Sequence, residues 1–282
     1  GLTSATTGSG EAVRGQSGGA TGHGVAGYAI TPTGAAVGVY GSAVSSHGTG
    51  VMGESKPINN GSPTYGVVGQ AHGNVGTAVQ GIADSTTGAT VGVQGTVASA
   101  SGTAGLFGNA AGGNILIGQS GATRMFRVDG KGTVYANGGV QTGGADFAES
   151  IAIRGDRHSY EPGDVLAIDE ETDRQAKLSD EPYSTRVIGI YSTKPGTLSS
   201  VHPMDAAEFA REIPVAVVGI VPCKVTAANG AIRRGDLLVS SSLPGYAMKA
   251  TDRTLTAGAI VGKAMQELSA GEGIIEVLVT LE

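Results

Sequence analysis

The first 120 residues repeat one short phrase nine times, Val-x-Gly-x-small, and no other feature limits the available folds as strongly. The glycines are Gly15, Gly27, Gly41, Gly53, Gly69, Gly81, Gly95, Gly108 and Gly118. Two positions before each stands an aliphatic residue: Val13, Val25, Val39, Val51, Val67, Val79, Val93, Leu106 and Leu116. Two positions after each stands a small one, such as Ser17, Ala29 or Ala43. A fixed phrase at a short, slightly variable period encodes an elongated repeat structure. It favours a rod or shaft over a catalytic pocket.

Within a phrase the aliphatic, glycine and small residues fall at i, i+2 and i+4, which in a strand share one face. The resulting stripe is thin and suits a crowded axis where backbones approach closely. Stretches such as Thr31-Pro-Thr-Gly34 and Asp84-Ser-Thr-Thr-Gly88 between phrases carry turn chemistry. Two arrangements satisfy the pattern: a single-chain β-solenoid with one coil per phrase, or a triple β-helix in which three identical chains share every layer. The trimer is favoured, because the stripe is too thin to fill a private core. The nine aliphatic positions, Val13 through Leu116, are then the expected trimer and shaft core.

Composition divides the chain near residue 144. Of 49 glycines, 37 precede Ala145, and the net charge of −6 resides almost wholly after it. Neither part shows the basic stripe that nucleic-acid binding needs. Residues 1–120 hold few large apolar groups, so one copy alone would struggle to offset its ordering entropy. A disordered linker would need no valine in register, which favours association with other chains. No run reaches the ~20 apolar residues of a transmembrane helix, so no membrane insertion is expected. No signal peptide is visible, and Gly1 suggests a processed or truncated start. Cys223 lies in an apolar strand-like run and reads as a buried, inert thiol.

Glycine-rich repeats also generate false motifs. Gly22-His-Gly-Val-Ala-Gly27 and Gly48-Thr-Gly-Val-Met-Gly53 match the dinucleotide fingerprint in letters, but no amphipathic helix follows either. Asn60-Gly-Ser62 matches a glycosylation sequon before Pro63, as weak evidence. His23, His47 and His72 lack metal-site spacing. No cofactor or metal is expected.

After the last phrase, Arg124–Ala136 reads as a hairpin turning at Asp129-Gly130. Gly138-Gly139 and Gly143-Gly144 suggest a flexible joint. Beyond it the chain repeats itself: Gly163-Asp-Val-Leu166 recurs as Gly235-Asp-Leu-Leu238, Ala176-Lys-Leu178 as Met248-Lys-Ala250, and Val187-Ile-Gly189 as Ile260-Val-Gly262. Duplication of a three-strand unit predicts a compact β-barrel or β-clip-like domain, closed by the β-branched run Gly273–Leu281. Only Met204–Glu212 looks helical, with Asp205 and Glu208 spaced as a capping box. Arg234-Gly-Asp236 spells an integrin-type tripeptide, but its Gly-Asp belongs to the duplication and reads as a structural turn. The expected fold is therefore all-β: a repeat shaft over 1–120, a hairpin and Gly-rich neck over 121–144, and a duplicated C-terminal β-domain over 145–282.

The Gly-Val-x-Gly repeats resemble the shafts of trimeric phage-tail-fibre-like and bacterial surface proteins. The run Val128-Asp-Gly-Lys-Gly-Thr-Val-Tyr-Ala136 resembles the hairpin that often ends such shafts. Ala145-Asp-Phe-Ala-Glu149, with the Gly-Asp-x-Leu domain after it, resembles the C-terminal intramolecular-chaperone domain of phage tail appendages. That resemblance implies a domain that helps three chains find register. In some members it also implies self-cleavage just before the Asp of an Asp-(Phe/Tyr)-Ala-Glu motif. Carried over, the candidate scissile bond is Ala145–Asp146, with Asp146 and Glu149 as the carboxylates. Ala145 departs from the hydroxyl residue expected in a self-cleaving member, which removes N→O acyl-shift chemistry. In the plainer reading Asp146 and Glu149 cap a turn at the neck.

These features together predict a structural, non-enzymatic fibre protein, extracellular, at a cell surface or on a virion. Its expected partner is itself, as a homotrimer whose C-terminal domain registers, caps or knobs the shaft. Two alternatives stay open: a filament subunit joined end to end through that domain, and an adhesin knob binding a cell-surface polysaccharide. Tyr160, Tyr183, Tyr191 and Tyr246 are the candidate stacking platforms of such a knob, with core packing as the competing role.

Overall fold

The computed structural model describes residues 14–18, 22–31, 33–45, 47–56, 63–203 and 206–281. Val13, the sequon at 60–62, and Met204 with Asp205 lie outside them. The chain divides into two units, Gly1–Leu106 and Phe107–Glu282.

In the first unit the glycines stack phrase on phrase. A Cβ on Gly15, Gly27, Gly41, Gly53, Gly69 or Gly81 would lie within 2.6 Å of both the carbonyl just before the next phrase's valine and that valine's Cγ2. Only glycine permits an approach this close. The valines face outward: Val25, Val39, Val51, Val67, Val79 and Val93 are 69–74% exposed, and no described residue of the unit is buried. The phrases predict strands, yet none forms among the described residues before Leu116. Short extended segments of one chain have no ladder partner. The backbone bonds found here are single turns, at Ser45–Gly48, Gly73–Gly76 and Ser99–Gly102.

The second unit opens with a three-stranded antiparallel meander of β1 (Leu116–Ser120), β2 (Thr123–Val128) and β3 (Val134–Ala136). The predicted hairpin is β2–β3, paired Val128↔Val134. Its turn is longer than the two residues expected. Asp129 Oδ1 accepts from both Lys131 N and Thr133 N, and Gly132, not Gly130, takes the left-handed conformation at φ +83°. The last two phrases do not stack like the first six: a Cβ on Gly108 would meet nothing within 4 Å, and Leu116 and Gly118 belong to β1.

The remaining strands are β4 (Asp146–Ile153), β5 (Val165–Ile168), β6 (Gln175–Leu178), β7 (Val187–Tyr191), β8 (Thr197–Ser199), β9 (Glu212–Thr226), β10 (Leu237–Ser240), β11 (Ala247–Lys249), β12 (Ile260–Ala264) and β13 (Glu272–Thr280). They form one ten-stranded sheet whose pairings close twice on β9. One circuit runs β9–β7–β5–β6–β4 and returns to β9. The other runs β9–β13–β12–β10–β11 and returns to β9. The 15-residue β9 is thus the shared spine, and it changes partners around Gly219.

The duplication read from the sequence reappears as hydrogen-bond register. Leu166 faces Gly189 as Leu238 faces Gly262, while on the other edge the register slips by one: Leu166 faces Leu178, and Leu238 faces Lys249, the counterpart of Lys177. Both copies carry a bulge at the same place, after Leu166 and after Leu238. The copy extends further than the motifs show. Parallel β4–β6 pairing, Ala152↔Gln175, matches parallel β9–β11 pairing, Val225↔Ala247. One core cluster lies around Leu166, Ile213 and Val215 of the first copy, and a larger one around Leu238, Val261 and Val277 also takes in Val165 and Ile190 of the first.

Two local expectations change. The predicted helix is a short 3-10 turn, Ala207–Arg211, capped at Ala206 with no side-chain hydrogen bond. Glu212 instead opens β9, because Ala152 of β4 needs it as a pairing partner. Gly144 is no flexible joint. A Cβ there would lie within 2.5 Å of Lys194 O, against the Lys194–Gly196 backbone.

Candidate functional site

The neck peptide Ala145–Asp146 begins β4 and is held on two sides. Gly196 N donates to Asp146 O at 2.8 Å, and Ile220 N reaches Ala145 O at 3.4 Å. Gly219, with φ +125°, lies directly against the bond. A Cβ there would sit 2.6 Å from both Ala145 O and Asp146 Cα. The local fold needs glycine at 144 and 219 so that three backbone segments can converge.

Strand alternation then separates the candidate residues. Asp146 is 4% exposed, whereas Ala145 and Glu149 are exposed. Asp146 and Glu149 sit three apart on β4 and turn to opposite faces, so one chain does not bring the two carboxyls together. Asp146 Oδ2 is buried without a hydrogen-bond partner, and so is Ser192 Oγ. Burial pushes the Asp146 carboxyl above the usual carboxylate range, and the nearby Ser192 hydroxyl only partly opposes it. A cavity of about 450 Å³ opens beside this carboxyl, lined by Val140, Thr142, Phe147 and Thr197 among others.

Further along β4, Ser150 finds its side-chain partner far away in sequence. Ser150 Oγ donates to Glu212 Oε2 at 2.6 Å, and Glu212 Oε1 meets His202 Nε2 at 2.9 Å. His158 lies elsewhere, in a 3-10 turn capped by Asp156. Glu212 is buried and both its oxygens are occupied, so it ties β4 and β9 to the loop carrying His202. The His202 ring also meets Phe209 edge-on, with centroids 6.3 Å apart. A cavity of about 530 Å³ adjoins the cluster, with Ile151, Ile168 and Ile188 on its walls. In a serine hydrolase the base stands between serine and carboxylate. Here the carboxylate stands between serine and histidine, an arrangement suited to fixing a loop.

The sequence matches no protein-family model and no curated protein. In fold, the chain is similar to the crystal structure of pre-mature bacteriophage phi29 gene product 12. The TM-score is 0.40 and the sequence identity 13%, over 56% of this chain and 24% of that one. The match therefore spans about a quarter of the phage protein's length.

The other candidates are built into the fold. Tyr160 is buried and its hydroxyl donates to Arg154 O at 2.7 Å. Tyr183, Tyr191 and Tyr246 are half-buried, the first two packed on core clusters and the third facing Lys224 at 5.8 Å. None of the four stands free as a stacking platform. Asp236 of the Arg-Gly-Asp run accepts from Arg233 N at 2.8 Å and pairs with Lys249 at 2.9 Å. Its twin Asp164 accepts from Glu161 N at 2.7 Å and pairs with Lys224 at 2.7 Å. The tripeptide is one copy of a duplicated turn. Cys223 is fully buried, and burial pushes its thiol far up, keeping it neutral. Among the described residues no group of three or more His, Cys, Asp and Glu could hold a metal ion, and no helix is long and apolar enough to cross a membrane.

Proposed function

We propose that this chain is the subunit of a structural fibre, extracellular or carried on a virion. Three copies would wind together over the repeats while the duplicated C-terminal unit registers and caps them. The carrying observation is the asymmetry of the phrase: its glycine is packed to backbone contact while its valine, two residues earlier, stays about 70% exposed. A regular apolar row left in water is a surface awaiting a partner. Identical copies are the simplest partner, since every copy carries the same row in the same register.

Charge placed in that row tests the reading. Val51→Asp and Val67→Asp should each loosen the oligomer, because a carboxylate would replace a shared apolar layer. Sedimentation at matched concentration should show lower mass for both variants. Unchanged mass in both would contradict a core built from the valines.

A further inference from the structure

We propose that the meander β1–β2–β3 carries a self-association surface on one face, against which two further copies of this chain pack. The inference rests on the fibre reading and names where, outside the stacked repeats, the copies meet.

Register divides the meander into two unlike faces. Residues directly opposite one another across antiparallel strands share a face. Leu116, Val128 and Val134 form one row, and Gly118, Phe126 and Ala136 form the next row on the same side. Every residue in both rows is apolar. The opposite side carries the row Ile117, Arg127 and Tyr135, with the Arg127 guanidinium 3.8 Å over the Tyr135 ring and bonded to Asn114 Oδ1 at 3.2 Å. A bulge between Gly118 and Gln119 sets Arg124 opposite Gln119 rather than beside Phe126. That shift keeps the strand's second charge off the apolar side.

Among the described residues the large apolar side chains of that side stay partly open to solvent. Val134 is 56% exposed, Leu116 39% and Phe126 37%, and no residue from 107 to 145 is buried. A small antiparallel sheet needs its apolar face packed against something to be stable.

Two features favour copies of the same chain as the occupant. Leu116 and Gly118 are the aliphatic residue and the glycine of the ninth phrase, so the valine row of the repeats continues in sequence into this face. The face is also uncharged. Identical copies meet there without like-charge repulsion, while an acidic or basic partner would find no counter-charge.

The test uses the full chain. Val134→Cys should form covalent links between copies when treated with a short bis-maleimide, because the native Cys223 is buried. Gln119→Cys, on the charged side, should give far fewer. The double variant Phe126→Glu, Val134→Glu should lower the oligomer mass, and Gln119→Glu should leave it unchanged. An unmodified chain that is monomeric overturns the fibre reading and this inference together. An oligomeric chain in which Val134→Cys links no better than Gln119→Cys overturns this inference alone, whatever the glutamate variants do.

Discussion

Asp146 is buried with one carboxyl oxygen unpartnered, and that has a definite consequence for pH. Its folded-state proton affinity exceeds the unfolded one, since burial raises its pKa. The native state therefore binds more protons from the ordinary value of about 3.9 up to the raised one. The stability this gives is fully present below the ordinary value and is lost as pH rises through the raised one. Asp146→Asn should remove that slope, read as urea midpoints between about pH 4 and pH 7. An identical pH profile in the variant would show that Asp146 does not titrate this way. Gly219 makes a second prediction at this scale. Gly219→Ala forces a side chain into backbone at φ +125° and should cost about 2 kcal/mol or more. A near-neutral result by chemical denaturation would contradict the tight convergence at the neck.

At the scale of elements, the duplicated turns have the same backbone but unequal surroundings. Asp164 is 3% exposed and holds Lys224, itself mostly buried, while Asp236 and Lys249 are both partly exposed. Breaking a buried pair strands a charge, whereas an exposed pair contributes little. Asp164→Ala should cost about 3 kcal/mol and Asp236→Ala about 1 kcal/mol. Equal costs from thermal unfolding would mean the two turns are energetically alike. These turns were legible in the sequence because Gly163-Asp164 and Gly235-Asp236 write their own conformation locally, with φ of +96° and +85° at the glycines. The β2–β3 hairpin was legible for the same reason. The Ser150–Glu212–His202 cluster was not, because Ser150 and Glu212 lie 62 positions apart and meet only through β4–β9 pairing. The helix expected at 204–212 shows the opposite failure. Local spacing favoured a helix, and the ladder partner offered by Ala152 drew Glu212 into β9.

At the scale of the whole molecule, the repeats and the C-terminal unit solve different problems. The latter is self-sufficient in the ordinary way: two closed pairing circuits share β9, and each surrounds buried aliphatic side chains. The phrases instead pack glycine against backbone and leave valine outside. Sequence reasoning anticipated the close backbone approach at these glycines. It left open whether successive phrases of one chain or three chains supply it, because spacing alone does not say which backbone lies opposite; here successive phrases of one chain do. Each exposed valine represents roughly 1.5–3 kcal/mol available on full burial, and a row of them along the repeats is a large driving force for association. The native mass of the intact chain at micromolar concentration tests this most directly. The account predicts three times the 27.8 kDa of one chain. A single-chain mass under those conditions would contradict it.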